Sequence, residues 1–152
     1  MKLTAKEILD TVKNLLETEL VTNGDCAYCG YYAGEFEKNI EELRCLNFPA
    51  IYISYVKEEN DLSDIGARHK ILNFAIAAAV QNLDGVSETA FGQTGAINIQ
   101  EQISELIDGK DLGLKDKSAG VFELQNTFMT DCAKDIAIII SEYTMNYYYC
   151  IG

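Results

Sequence analysis

The C-terminal segment 134–151, KDIAIIISEYTMNYYYCI, constrains the fold most strongly because it is rich in β-branched and aromatic residues that favour strands. Successive strand side chains point to opposite faces of a sheet. The large residues of the segment fall into two registers, which are Ile136, Ile138 and Ile140, and then Tyr143, Met145, Tyr147 and Tyr149. We therefore expect a long strand whose large-residue face switches near Ser141–Glu142, through a bulge or a change of covering surface.

Three earlier segments also predict extended strands. Residues 121–129 would pair with the C-terminal strand, and residues 50–56 follow Pro49, the only proline, which suits a strand start. Alanine favours helix in segment 68–82, but its larger residues alternate, so we predict a strand there. Its second face is small, which indicates that another element packs tightly over it.

The remaining connections are predicted from their turn residues and polarity. Residues 26–34 fit a short irregular strand or hairpin, and residues 36–44 a short helix or turn. The polar segment 57–67, the glycine-rich segment 83–95 and segment 110–120 are predicted as loops.

Two amphipathic segments predict the principal helices. Thr4 and Glu7 form a T-x-x-E capping box at the start of the first helix, which residues 22–25, TNGD, would end. The second helix is predicted over residues 96–109, with Gly109 as its C-terminal cap. The predicted apolar stripe of the first helix consists of Leu3, Ile8, Leu9, Val12, Leu15, Leu16 and Leu20, and that of the second of Ile99, Ile103, Leu106 and Ile107.

This order of elements predicts an α+β fold: a single domain, residues 1–152, with a mainly antiparallel (mixed) β-sheet and two principal helices packed on one face. A chain of 152 residues is most simply one domain, and it contains no repeat or linker that would divide it.

The charge balance limits the partners. The formal net charge is −12, and nucleic-acid-binding domains gain most of their affinity from Lys and Arg, so we expect no specific nucleic-acid binding. An anionic membrane surface is disfavoured for the same reason, and no apolar run approaches the roughly 18 residues of a membrane span. We expect no membrane partner, whereas a basic protein partner is compatible with this charge.

Catalytic and cofactor-binding constellations are absent from the sequence. His69 is the only histidine, and no P-loop, G-x-S-x-G or H-E-x-x-H motif occurs. The carboxylates lie in runs typical of solvated surfaces. We therefore expect no catalytic residue, no cofactor, no metal site and no enzymatic activity.

The segment CAYC, with Cys26 and Cys29, is the sharpest chemical feature. This spacing fits a redox disulfide or half of a zinc site. The other thiols, Cys45, Cys132 and Cys150, stand singly, and GYYAG after Cys29 is a poor helix start for a redox motif. We expect buried or incidental thiols, reduced in a cytoplasmic product, and keep a small thiol redox or zinc protein as an alternative.

Segment 82–114 resembles the Mu-type tail terminator-like proteins of contractile-tailed phages and prophages. That family has an N-L-x-G turn, a glycine-led helix and an L-x-G-x-x-L-G-L segment, and FPAIYISYV at 48–56 is similar to its Pro-Ala strand. The matching positions are Asn82, Leu83, Gly85, Gly95, Ala96, Gly109, Leu112, Gly113 and Leu114, with Ile107 at the first leucine of the last motif. Asp84, Ile97, the CAYC segment and the tyrosine-rich terminus depart from the family pattern.

The resemblance implies a structural virion protein made in the cytoplasm of a bacterial host. Such a tail terminator forms a ring of itself, expected to be homo-hexameric, on the head-proximal end of the tail. It stops polymerisation of tail tube and sheath and presents a joining surface to the head connector. The partners implied are tube, sheath and connector proteins, and another phage head–tail adaptor is a further alternative.

Two surfaces follow from these expectations. The terminus carries apolar groups on both strand faces, so Tyr147, Tyr148, Tyr149, Cys150 and Ile151 are candidates for the subunit interface. Glu58, Glu59 and Asp61 are candidates for lining a DNA channel, where acidic groups would repel phosphate.

Overall fold

The computed structural model describes residues 3–37, 40–43, 45–61, 67–81, 95–114, 119–133 and 135–150. Three α-helices, α1 to α3, span Ala5–Leu16, Ile40–Leu43 and Ala96–Ile107. A π-helical turn, Glu17–Val21, continues α1, and a 3-10 turn covers Glu35–Glu37. The strands β1 to β5 span Tyr28–Tyr31, Ala50–Asp61, Ala67–Gln81, Ala119–Ala133 and Ile136–Cys150.

The five strands form one mixed sheet in the order β1-β2-β3-β5-β4. Only the β1–β2 pair is parallel, so residues 26–34 contain a strand but no hairpin. The longest pairing joins β3 to β5, from Ala67 opposite Cys150 to Gln81 opposite Ile136. The predicted α+β fold with a mainly antiparallel sheet is confirmed.

Helix α1 begins where the capping box predicts. The Thr4 side chain accepts a hydrogen bond from the Glu7 backbone N–H at 3.2 Å, which satisfies one of the unpaired donors at the helix start. At the other end, Gly24 has φ +87°, and the backbone N–H groups of Asp25 and Cys26 both donate to the Leu20 carbonyl. A residue without a side chain is favoured at that left-handed position, so TNGD ends the helix as predicted.

One face of the sheet, the helix face, is covered by α1 and α3 and holds the main core. Each element contributes its apolar stripe because helical residues three or four apart, and alternate strand residues, share a face. The largest fully buried side chains of this core are Leu3, Ile8, Leu16, Ile51, Ile53, Leu72, Phe74, Ile76, Ile103, Phe122, Tyr143 and Tyr147.

The opposite face, called the open face, carries a smaller cluster at one end. Ala77 and Ala79 of β3 pack there with Tyr52 of β2, and four side chains from the segment before β2 cover them. The prediction that another element packs over the small face of β3 is confirmed at this end of the strand. Those covering side chains are Tyr32, Phe36, Leu46 and Phe48.

Strand β5 shows why its large residues change register. Its pairing with β3 contains no shift, so Ala137, Ile139, Tyr143, Met145 and Tyr147 all belong to the helix-face core. Ile136 and Ile138 belong to the open-face cluster instead. The switch near Ser141 is therefore a change of covering surface, and the register shifts lie in the β4–β5 pairing.

Segment 57–67 was predicted as a loop, and this was wrong for residues 57–61. Strand β2 continues to Asp61, with a register shift between Tyr55 and Lys57 after which it pairs with β3 as far as Asp61 opposite His69. These polar residues form a strand because β3 provides hydrogen-bond partners for their backbone groups. Residues 62–66 and 82–94, the latter covering most of the glycine-rich segment and the N-L-x-G turn, lie outside the described residues.

Candidate interaction surface

The open face contains an apolar groove of about 390 Å³. Its floor is made of small β3 residues, which leave room above the sheet, and its walls are aromatic on the β2 side and aliphatic on the β5 side. The lining residues are Tyr32, Phe36, Tyr52, Ser54, Ala75, Ala77, Thr130, Ile138 and Ile140. Polar atoms are few, so the groove suits apolar contacts and lacks the convergent ionisable groups of an active site.

The aromatic wall is built around Tyr52, which is 3% exposed. The Phe36 ring meets the Tyr52 ring edge-on with centroids 5.2 Å apart, and the Tyr28 ring lies 5.4 Å away on its other side. The Tyr28 ring lies over Gly30, where an added Cβ would meet the Tyr28 hydroxyl, so a larger residue there would require the partly exposed Tyr28 ring to move. Burial raises the pKa of Tyr52 to about 12, as expected for a hydroxyl in an apolar wall.

The terminal tyrosines lie on different faces, as alternation predicts. Tyr147 is 1% exposed on the helix face, and its hydroxyl donates to Glu58 Oε2 at 2.5 Å. Tyr148 is 48% exposed on the open face. Tyr147 is therefore a core residue of this chain, which argues against a place in an interface, whereas the Tyr148 ring is accessible to a partner. The side chains of Tyr149 and Cys150, and all of Ile151, lie outside the described residues.

Tyr148 is held in place by its strand neighbours. Its ring stacks on His69 with centroids 5.1 Å apart, and His69 Nε2 lies 2.8 Å from Asn146 Oδ1. These contacts give the only histidine of the chain a structural environment. The stack favours one orientation of an exposed aromatic ring, and such a preference reduces the entropy lost when a partner binds.

The three candidate channel residues do not form an exposed acidic loop. Glu58 is half-buried: it accepts from Tyr147, and its Oε2 lies 3.8 Å from Lys70 Nζ. Glu59 is exposed and pairs with Lys57 at 3.0 Å. The Asp61 side chain lies outside the described residues. Because Glu58 is occupied within the subunit, Glu59 is the better candidate for a channel surface.

The CAYC cysteines are buried in the main core. Cys26 is 4% and Cys29 6% exposed, and both are free thiols. Burial raises the pKa of Cys26 to about 11 and that of Cys29 to about 12. Redox cysteines need the opposite shift, since the thiolate is the reactive form. The environment therefore argues against the thiol redox alternative.

The described residues contain neither a metal-binding cluster nor a membrane-spanning helix. No group of three or more His, Cys, Asp or Glu side chains there is placed to hold a metal ion. None of the helices in that part of the chain is long and apolar enough to cross a membrane.

The segment that resembles L-x-G-x-x-L-G-L forms a tight turn after α3. Gly109, Leu112 and Gly113 all have positive φ, at +75°, +50° and +78°, and Leu114 then enters the core at 5% exposure. The Gly113 N–H donates to Asp111 Oδ1 at 3.0 Å and the Leu114 N–H to the Asp111 carbonyl at 2.9 Å. The glycines serve the backbone geometry of the turn.

The sequence reading missed the groove and an exposed apolar pair on β4. Phe128 is 45% and Met129 43% exposed. Alternation predicted strand 121–129, but it could not show that β4 lies at the sheet edge. The aromatic wall was also missed, because Tyr32 and Phe36 meet Tyr52 only through the fold.

Comparisons with known proteins give a likeness of fold. The chain is similar to one chain of a solved structure titled "Virion of native gene transfer agent (GTA) particle", with 15% sequence identity and a TM-score of 0.58. The match covers 90% of this chain and 91% of the other. No family model matches the sequence, and no curated protein matches it.

Proposed function

We propose that this chain is a non-enzymatic structural protein of a phage-like particle, a tail terminator that forms a homo-hexameric ring. The ring would cap the tail tube and sheath at the head-proximal end and present the joining surface for the head connector. The chain would be made in the cytoplasm of the bacterial host and reside in the virion tail.

The fold likeness carries this proposal. The similar chain belongs to a virion particle, and the match extends over nine-tenths of both chains, so the whole domain and not a common substructure is shared. At 15% identity the likeness concerns the fold, and the role is an inference from it. The segment resemblance to tail terminator-like proteins adds the specific role.

The character of the surface supports an assembly role. The described part of the chain has a half-open apolar groove and no convergent ionisable cluster, while exposed aromatic rings such as Tyr148 are held rigidly. Protein interfaces favour aromatic anchors of this kind. A head-to-tail contact through the Tyr148 end of β5 can close into a ring when each copy is rotated relative to the last.

The charge supports a DNA-conducting ring. With a net charge of −12 on each chain, a ring of six chains would have a strongly negative electrostatic field. Glu59 is an exposed carboxylate near the C-terminal end of β2. DNA can slide through such a channel because few phosphate contacts form and few counterions are released. Tight, salt-sensitive DNA binding in a gel-shift assay would contradict this part of the proposal.

The ring contact is tested by Tyr148→Lys. We expect wild type to sediment as a ring of identical copies and Tyr148→Lys to lose it, because a charge replaces the anchor in a contact that excludes water. Tyr55→Lys is the matched control, since Tyr55 is 52% exposed at the β2 edge and lies outside the proposed contact. Light scattering gives the mass, and circular dichroism reports whether each variant folds.

Deletion of residues 148–152 is the second arm. Assembly lost with the fold retained supports the contact. An unfolded monomer would assign the terminus to the core, and rings of wild-type mass would exclude it from assembly. A wild type without rings under any condition would contradict the ring proposal.

A further inference from the structure

Strand β4 forms one edge of the sheet, and part of its outer side is unpaired. Near its start the edge is covered: the Gly109 N–H donates to the Phe122 carbonyl, the Phe122 N–H to the Lys110 carbonyl, and the Leu124 N–H to Asp108 Oδ1. Over residues 125–130 no described residue other than those of β5 makes a backbone hydrogen bond to the strand. Among the described residues, the backbone N–H and C=O groups on that side are therefore left for another strand.

The free part of β4 lies between two register shifts of the β4–β5 pairing, at Leu124/Asn126 and at Thr130/Ala133, and the stretch between them is regular and uncharged. Residues 125–130 read QNTFMT, with no charge and no proline, and residues 125–129 are all exposed. Phe128 lies on the open face beside Ile140, and Met129 lies on the helix face beside Ile139. Soluble proteins normally place lysine, proline or inward charge on such a strand.

The other long edge is protected. Beyond Tyr31, β1 no longer covers β2, but there β2 has a register shift at Tyr55/Lys57 and then the charged pair Lys57–Glu59 at 3.0 Å. Irregularity and charge together discourage pairing with another strand. The register shifts of β4 lie at the ends of residues 126–130, and that stretch carries no charge, whereas the uncovered part of β2 carries its shift and its charges together.

We propose that the free edge of β4 binds the same edge of a second copy of this chain, antiparallel about a two-fold axis near Phe128. The two sheets then join into one of ten strands. With the axis at Phe128, this residue faces its own counterpart on the open face, and Asn126 stands opposite the partner copy's equivalent of Thr130. Cross-strand aromatic pairs of this kind stabilise a sheet.

The charge distribution selects a second copy as the occupant. Two chains that each carry a net charge of −12 repel each other, so self-association requires a contact region without carboxylates. Residues 125–130 provide one, and they are self-complementary in backbone pairing and in side chains, as a two-fold contact requires. A basic partner would gain nothing electrostatically at this uncharged stretch.

This contact is separate from the proposed ring contact. Phe128 is paired with Ile140, which lies eight residues before Tyr148 on β5, a distance of about 26 Å along the strand. A two-fold β4 contact can therefore exist with or without the ring, and the inference does not rest on the proposed function.

The test uses Tyr148→Lys as the background, so that the proposed ring contact is disabled. Sedimentation velocity from about 1 to about 100 μM covers the range in which micromolar contacts form and dissociate. We expect a concentration-dependent two-chain species for Tyr148→Lys and a single chain when Phe128→Lys is added. Both changes make the chain less negative, so net charge alone would favour association.

Two further measurements keep the outcome decisive. Asn126→Lys, at an exposed polar position of the same edge, should also remove the two-chain species, and it guards against misfolding of Phe128→Lys. Hydrogen exchange of the amides in 125–130 should slow as concentration rises. A single chain at all concentrations, or a two-chain species that persists in both edge variants, overturns the proposal.

Discussion

The hydrogen bond between Tyr147 and Glu58 ties the last strand to the end of β2, and its loss should destabilise the fold measurably. The Tyr147 hydroxyl donates to Glu58 Oε2 at 2.5 Å from a side chain that is 1% exposed. Tyr147→Phe removes this donor and leaves the ring packing intact. A hydrogen bond to a charged group contributes about 1.5–3 kcal/mol.

The environment of Glu58 places the expected loss in the lower half of that range. Its side chain is 18% exposed, and Lys70 Nζ lies 3.8 Å from the same oxygen, so water and Lys70 replace part of the lost contact. We expect Tyr147→Phe to lower the free energy of unfolding by about 1.5–2 kcal/mol. For a domain of this size that corresponds to a fall in Tm of about 3–8 °C.

The same strand provides a matched control. Tyr143 is also 1% exposed on the helix face, but its hydroxyl has no partner with hydrogen-bond geometry among the described residues, although the Ser104 side chain is close enough to affect its pKa. Removing a buried hydroxyl without a partner is neutral or stabilising. Tyr143→Phe should therefore leave the free energy of unfolding unchanged or raise it.

Urea unfolding followed by circular dichroism measures both variants by linear extrapolation. In a Glu58→Gln background the cost of Tyr147→Phe should fall to about 1 kcal/mol, because the acceptor is then neutral. Equal effects of Tyr147→Phe and Tyr143→Phe would refute the reasoning, as would a cost that is independent of Glu58.

Three other predictions follow from burial. Cys45 is exposed and should react with iodoacetamide at pH 8 well before Cys26 and Cys29. The pKa values of Cys26 and Cys29 are raised to about 11 and about 12, so little thiolate is present to react. Peptide mass spectrometry measures the alkylation of each cysteine, and fast alkylation of native Cys26 would contradict this prediction. Ala79→Leu should lower the free energy of unfolding by about 1–3 kcal/mol, because Ala79 is 0% exposed under the covering side chains. Ala75→Leu should lower it much less, because Ala75 lines the groove. Equal urea midpoints for the two variants would argue against the covered cluster. Burial raises the pKa of Tyr52 to about 12, so the folded chain holds the hydroxyl proton more tightly than the unfolded chain does. The resulting contribution to the free energy of unfolding is fully present below about pH 10 and is lost as the pH rises from about 10 towards 12. Unfolding at pH 9.5 and 11 should show a smaller loss for Tyr52→Phe than for wild type, and identical losses would count against this assignment.

The proposed ring contact and the proposed β4 contact involve different surfaces of the chain. The ring proposal depends on Tyr148 at one end of β5, and the two-fold proposal depends on Phe128 beside the other end. Tyr148→Lys tests the ring contact and Phe128→Lys tests the β4 contact, so the result for one contact does not decide the other.

The sequence by itself determined the local elements and the fold class. The capping box at Thr4, the stripe of α1 and the alternation in β3 and β5 are local patterns, and each predicts one element because helix and strand periodicities differ. The expectation of a structural virion protein came from the resemblance of segment 82–114 to tail terminator-like proteins.

Only the tertiary structure decided which residues are neighbours across the sheet. It placed β4 at an edge, continued β2 through the polar residues to Asp61, and brought Tyr147 onto Glu58, 89 residues away. It also brought Tyr32, Phe36 and Ile140 together as lining residues of the groove. Strand order and register depend on pairing between distant segments, and a local pattern shows which way a side chain points without showing what it meets.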